Sequence, residues 1–219
     1  MKLDRERLLL YAVTDRRYAG EPGLEEQIRQ ALEGGVTLLQ LREKDLDREA
    51  FMEEARRVKA ICRRFGVPLI INDQPEVALA VGADGVHVGA GDRPVREIRR
   101  LAGENFIIGA TAKTVEQARQ AEADGADYLG VGAVFPSPTK ENALRITRER
   151  LREICAAVKL PAVAIGGINR DNMAELAGTG IAGVAVVSAL FGAEDVQRAA
   201  GELREAARRI VGPAERKQP

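Results

Sequence analysis

Eight short apolar, β-rich runs recur along this chain with helix-patterned stretches between them: Leu8–Val13, Thr37–Leu41, Pro68–Ile71, Asp84–Val88, Phe106–Ala110, Tyr128–Val134, Ala162–Ile165 and Gly183–Val187. Runs such as Leu-Leu-Leu-Tyr-Ala-Val and Pro-Ala-Val-Ala-Ile are continuously apolar. That is the pattern of parallel strands covered outside by helices, whereas an antiparallel sheet with one wet face alternates. The stretches between, such as Glu49–Phe65 and Val115–Ala123, carry a 3.6-residue apolar period and meet a glycine where the helix should stop. Spread over 219 residues, eight strand-helix units leave about 27 residues each, near the roughly 30 of a typical (β/α)8 barrel.

The expectation is therefore an α/β chain folded as a single (β/α)8 TIM barrel over residues 1–212, with residues 213–219 as a polar tail. An internal repeat supports it. Gly35-Val-Thr-Leu, Gly82-Ala-Asp-Gly-Val, Gly125-Ala-Asp-Tyr-Leu and Gly180-Ile-Ala-Gly-Val each precede an even-numbered run, a beat of two units. The competitor is an open doubly wound sheet, which should show an antiparallel edge or a nucleotide fingerprint. Gly89-Ala-Gly91 and Gly130-Val-Gly132 begin like G-x-G-x-x-G, but both lack the final glycine.

Charge narrows the partners. Lys plus Arg and Asp plus Glu both number 33, so no global positive field holds nucleic acid or an anionic membrane, and any anion site must be local. The first residues lack a signal-peptide apolar region and no stretch approaches 18 apolar residues, so a cytoplasmic address is expected. Cys62 and Cys155 have no Cys or His at metal-ligand spacing and read as buried free thiols. Oppositely charged residues four apart, as in Glu25/Arg29 and Glu53/Arg57, read as solvated helix faces.

The informative polar residues all follow the runs. In a barrel that end builds the active site. In order they are Thr14-Asp15, Gln40/Arg42/Lys44, Asn72-Asp73, Asp92, Thr111 with Lys113, Ser137/Thr139/Lys140, Gly166-Gly167 and Ser188. Gln40, Arg42 and Lys44 are spaced by two, so an extended backbone points all three one way and sends Leu39 and Leu41 toward the helices. Their cations serve either a salt-bridged barrel layer or an anionic ligand. Asp73 and Asp92 follow consecutive runs, and two carboxylates gathered there repel by about 4 kcal/mol at 4 Å and an effective dielectric of 20. Mg²⁺ answers that, because it takes one or two carboxylates beside phosphate oxygens and water. Equally, both could cap helices ahead of Pro75 and Pro94. Gly166-Gly167 and Val187-Ser188, after the last two runs, suit phosphate held on backbone N–H groups. Phe135-Pro-Ser-Pro-Thr-Lys140 reads as a lid. His87, the only histidine, lies inside a run and reads as structural, and no G-x-S-x-G elbow accompanies it.

Taken in order, Tyr11-Ala-Val-Thr-Asp15, Gln40-Leu-Arg-Glu-Lys44, Ile71-Asn-Asp73, Asp84-Gly-Val-His-Val-Gly89, Phe135-Pro-Ser-Pro-Thr-Lys140, Ala164-Ile-Gly-Gly-Ile168 and Val186-Val-Ser-Ala189 resemble the motifs of the thiamine phosphate synthases from Tyr11 to the last helix. The resemblance implies a transferase that joins an aminopyrimidine methyl diphosphate to hydroxyethylthiazole phosphate, releasing pyrophosphate and thiamine phosphate. It implies that Gln40, Arg42, Lys44, Asn72, Thr111 and Lys140 contact the diphosphate substrate. Of these, Arg42, Lys44, Thr111 and Lys140 would act on the leaving group. By the same resemblance Asp73 and Asp92 hold Mg²⁺, and Ser137, Thr139, Gly167, Val187 and Ser188 hold the thiazole phosphate. The implied partners are these two small molecules, with a homo-oligomer left open. No protein base is required, since the attacking thiazole nitrogen has a free lone pair. A mouth rich in cations and poor in histidine suits that chemistry.

Departures from the family pattern are Ala90-Gly91 before Asp92, Thr111 for a usual serine and Lys113 for a common histidine. Lys113 either adds charge near the diphosphate or points to solvent. Two rivals stand beside the synthase. One is a thiazole tautomerase barrel, whose catalytic histidine position is Ala133 here. The other is a non-catalytic binder of thiazole phosphate or thiamine phosphate.

Overall fold

The computed structural model describes residues 3–21, 23–136 and 145–211. Eight parallel strands close on themselves in chain order: β1 (Leu10–Val13), β2 (Leu38–Leu41), β3 (Leu69–Asn72), β4 (Gly85–Val88), β5 (Ile107–Thr111), β6 (Tyr128–Gly132), β7 (Ala162–Ile165) and β8 (Gly183–Val186). Strand β8 pairs back onto β1 through Leu10 and Val184. Around them run α1 (Leu24–Glu33), α2 (Arg48–Phe65), α3 (Pro75–Val81), α4 (Val95–Ala102), α5 (Val115–Ala123) and α6 (Arg148–Ala157), then a 3-10 turn (Met173–Leu176), α7 (Ser188–Phe191) and α8 (Val196–Ile210). The expected tail, residues 213–219, lies outside the described residues.

Strand alternation sorts the core into two layers. Leu39, Leu41, Ile71, Ile108 and Leu129 face outward against the helices, while Tyr11, Val13, Leu38, Ile70, Ile107, Tyr128 and Val163 fill the barrel. The first apolar run overstates its strand. Leu8 ends a 3-10 turn (Arg5–Leu8) whose N-cap Asp4 accepts from the Glu6 N–H at 3.1 Å. It belongs to the inner cluster and sits so close to Gly183 that a Cβ there would lie 1.8 Å from the Leu8 carbonyl oxygen.

The two-unit repeat has a structural meaning. Its glycines, Gly35, Gly82, Gly125 and Gly180, all adopt positive φ, from 62° to 101°, and turn the chain out of the preceding helix or turn. Two residues on, Thr37, Asp84, Asp127 and Ala182 donate their N–H to the carbonyls of Leu10, Leu69, Ile108 and Ala162. Three of the four also return a bond from the side chain. The N–H groups of Leu10, Leu69 and Ile108 donate to Thr37 Oγ1 (2.9 Å), Asp84 Oδ2 (2.8 Å) and Asp127 Oδ2 (2.7 Å). These pairs tie together strand starts whose N–H groups would otherwise be buried without partners.

Local capping sets where the longer helices begin. Asp47, Thr114, Thr147 and Asp195 each accept a backbone N–H in the first turn. The surface charges pair differently from their spacing: Arg29 bonds Glu26 and Glu33, and Arg57 crosses from α2 to Glu25 of α1 at 2.6 Å. Cys62 is buried, with burial pushing its thiol up to about 12. Cys155 is only partly covered, less than expected, because it lies one residue beyond the inward-facing Ile154 of α6. Among the described residues no helix is long and apolar enough to cross a membrane.

Candidate active site

A cavity of about 280 Å³ opens at the C-terminal ends of the strands. Of the expected site residues, Gln40, Arg42, Lys44, Asn72, Asp73, Asp92, Thr111, Gly167, Val187 and Ser188 line it, and Lys113 faces it too. Ser137, Thr139 and Lys140 lie outside the described residues. The inward alternation of β2 holds: Gln40 is buried in the floor, Arg42 is half-buried above it, and Lys44 is exposed at the rim.

Thr14 sets the height of Arg42. The Arg42 N–H donates to Thr14 Oγ1 at 2.9 Å, which joins the tops of β1 and β2. The guanidinium then reaches Asp15 at 3.4 Å. Asp15 also accepts from the Arg17 side chain at 2.7 and 3.0 Å, and these bonds hold its carboxyl below the usual range. Behind this loop, Arg16 bridges the buried carboxyls of Glu43 at 3.0 Å and Glu54 at 2.5 Å. Glu43 lies five residues before α2, a loop position that gives no sequence hint of such a bridge.

The structure removes one of the two readings of Asp73 and Asp92. The N-cap residues of α3 and α4 are Gln74 and Pro94, without side-chain caps, so neither aspartate serves those helix starts. Asp92 instead closes its own turn, accepting from the Gly89 N–H at 2.7 Å. Asp73 adopts φ 59°, a left-handed backbone uncommon outside glycine, and is held there by its N–H to the His87 carbonyl at 2.9 Å. That turn aims its carboxyl at Asp92. Burial and then the bond and charge of Asp92 raise the Asp73 carboxyl above the ordinary range, opposed by Asn72 and Lys44. Two facing carboxylates beside Arg42 and Lys44 fit the small share of ligands that Mg²⁺ takes from protein when a phosphorylated molecule supplies the rest. Among the described residues, no group of three or more His, Cys, Asp or Glu side chains is placed to hold a metal alone.

Opposite the cations, Gly166 and Gly167 follow β7 with φ of 100° and 65°. A Cβ on Gly167 would lie 2.1 Å from the Pro136 carbonyl oxygen, so glycine is needed for the two loops to meet. Ser188 begins α7 on the same side.

Sequence reading did not find the polar floor. Tyr11 and Tyr128, both fully buried, bond each other at 2.7 Å, and the same chain of bonds takes in Gln40 and His87. His87 lies inside β4, as its place in an apolar run indicated, yet it also lines the cavity beside Thr111. A tyrosine inside each of two otherwise apolar runs was the available signal.

Comparison with known proteins agrees with this arrangement. The family described as Thiamine monophosphate synthase matches residues 10–190. The thiamine-phosphate synthase of Clostridium tetani is 47% identical over 194 residues, covering 89% of this chain and 93% of the relative. That of Pyrococcus furiosus is 45% identical over 208 residues, covering 95% and 99%. The solved thiamine phosphate pyrophosphorylase from Pyrococcus furiosus superposes with a TM-score of 0.87 at 44% identity, covering 95% of this chain and 99% of that one. With a family match through nearly the whole barrel and relatives this similar along their full lengths, the chain belongs to the thiamine monophosphate synthase family.

Proposed function

We propose that this enzyme joins an aminopyrimidine methyl diphosphate to hydroxyethylthiazole phosphate, giving thiamine phosphate and pyrophosphate. The observation that carries the reading is one cavity with Arg42, Lys44, Asp73, Asp92 and Thr111 on one side and Gly167 and Ser188 on the other. The carbon–oxygen bond to the diphosphate breaks with its electron pair leaving on pyrophosphate, and the thiazole nitrogen supplies the pair for the new carbon–nitrogen bond.

The residues' work is electrostatic and positional. Arg42 and Lys44, with Lys140, donate to oxygens whose charge grows as pyrophosphate leaves, and Thr111 adds a hydroxyl there. Asn72 and Gln40 orient the pyrimidine portion. Mg²⁺ held by Asp73 and Asp92 would supply further positive charge to the diphosphate oxygens. Gly167, Val187 and Ser188, together with Ser137 and Thr139, hold the thiazole phosphate and place its nitrogen for attack. A cytoplasmic site of action belongs to the same reading. The tautomerase alternative finds no support, because Ala133 lines the cavity where that chemistry needs a histidine.

Purified protein given both substrates should release pyrophosphate with added Mg²⁺ and stop when the metal is chelated. Binding of thiazole phosphate without pyrophosphate release would overturn the reading in favour of a binder. Undiminished release after chelation would remove the metal from it.

A further inference from the structure

A single file of hydrogen bonds crosses the barrel floor and joins two residues of the cavity wall. Gln40 Nε2 donates to the Tyr11 hydroxyl at 2.6 Å, and the Tyr11 and Tyr128 hydroxyls meet at 2.7 Å. The Tyr128 hydroxyl lies 3.1 Å from His87 Nδ1, and His87 Nε2 lies 3.1 Å from Thr111 Oγ1. Gln40 and Thr111 both line the cavity, while the phenols between them are 1% and 0% exposed.

The barrel makes room for this file at the cost of packing. Residues 109 and 130 face the interior of β5 and β6, positions that branched aliphatic side chains ordinarily fill. Both are glycine. A Cβ on Gly109 would lie 2.2 Å from the Tyr128 ring and 2.4 Å from His87 Nδ1, and one on Gly130 would lie 2.9 Å from His87 Cε1. Two hollowed positions around one histidine and one tyrosine indicate a file that the fold is shaped to hold.

Counting protons gives the file a direction. Each phenol has one hydrogen to donate, and burial keeps both hydroxyls protonated by raising them well above their ordinary range. Tyr11 receives from the Gln40 amide and so directs its own hydrogen to Tyr128. Tyr128, having received, donates to His87 Nδ1, which in the neutral ring is then the nitrogen without a hydrogen. His87 therefore carries its hydrogen on Nε2 and donates to Thr111 Oγ1.

We infer that Tyr11, Tyr128 and His87 are positioning residues that orient the Thr111 hydroxyl, turning its hydrogen away from His87 and into the cavity as a donor to an oxygen acceptor on the substrate. A serine or threonine hydroxyl otherwise rotates freely between donating and accepting. Fixing it in advance removes a reorganisation step when charge develops on the leaving oxygens. The substrate half of this statement rests on the function proposed above, whereas the tautomer of His87 does not.

Because His87 is the only histidine, ¹⁵N-histidine labelling gives one assignable ring. A two-bond ¹H–¹⁵N correlation spectrum of the full chain at mildly alkaline pH should show the hydrogen on Nε2 and an Nδ1 that accepts a hydrogen bond. In Tyr128→Phe the Nδ1 resonance should move toward that of an unbonded nitrogen. A hydrogen on Nδ1 in the parent would reverse the file and overturn the inference. In turnover, Tyr128→Phe and Thr111→Val should each lower kcat about tenfold, the scale of one hydrogen bond. The double variant should lose no more than either alone, since both remove one oriented donor. Additive losses would mean that Tyr128 acts through packing and would equally sink it. Failure of the parent to turn over these substrates would overturn the function and leave the spectrum to judge the file.

Discussion

The two ends of this barrel use the same residue types in opposite ways. At the lower end, Asp84 and Asp127 each accept from the backbone of a neighbouring strand, and Arg99 closes on Asp127 at 2.7 Å. At the upper end, Asp73 and Asp92 face one another across a left-handed turn, and Arg42 is held at 3.4 Å from Asp15 while remaining on the cavity wall. Below, these two carboxylates have their partners supplied by the fold. Above, two acids are set side by side, and Asp92 helps raise the Asp73 carboxyl. The difference teaches that a charged residue in a barrel is read by whether the fold completes its partners.

That contrast can be broken experimentally. The largest effect is expected from Arg42→Ala and Asp73→Asn, each lowering pyrophosphate release about 100-fold or more. Asp73→Asn should leave the melting temperature equal or higher, because it relieves repulsion with Asp92. A parallel fall in stability would erase the distinction between the ends. Next, Asp127→Ala leaves the buried Ile108 N–H and the Arg99 guanidinium short of a partner. It should cost about 2 kcal/mol, or a drop of about 4–8 °C in melting temperature, with kcat per folded molecule unchanged.

A smaller change is expected at the rim. Lys44 is exposed and holds a flexible point charge, so Lys44→Ala should lower kcat for pyrophosphate release only about fivefold. An effect as large as that of Arg42→Ala would mean that the rim closes over the substrate more tightly than its exposure indicates.

The smallest concerns Glu43, whose carboxyl burial raises above the ordinary range while Arg16 opposes the shift. The folded chain holds that proton more tightly than the unfolded one. Its contribution to stability is therefore full below the unfolded value of about 4.3 and is lost as pH rises through the folded value. Urea midpoints of Glu43→Gln, taken between about pH 4 and about pH 7, should show a flatter decline than the parent.

Periodicity carried the barrel, because a strand's two faces and a helix's apolar stripe are local properties written within ten residues. The same rule placed Gln40, Arg42 and Lys44 on one wall. The repeat was visible as a beat, but the reason for its third residue was not, since Asp84 and Asp127 act on strand starts 15 and 19 residues away. Capping and metal readings of Asp73 and Asp92 were equal in sequence because both predict an acid just ahead of a proline. The identity of the N-cap residues, Gln74 and Pro94, removed the first of them. The tyrosine file was least legible. Its members are 117 and 41 residues apart, and the pairing depends on interior register that no local pattern states.

Leu8 closes the lower end of the barrel, pressed against Gly183 beneath the inner layer. The barrel is therefore plugged from below by packed side chains, and its cavity opens only where the described strands end.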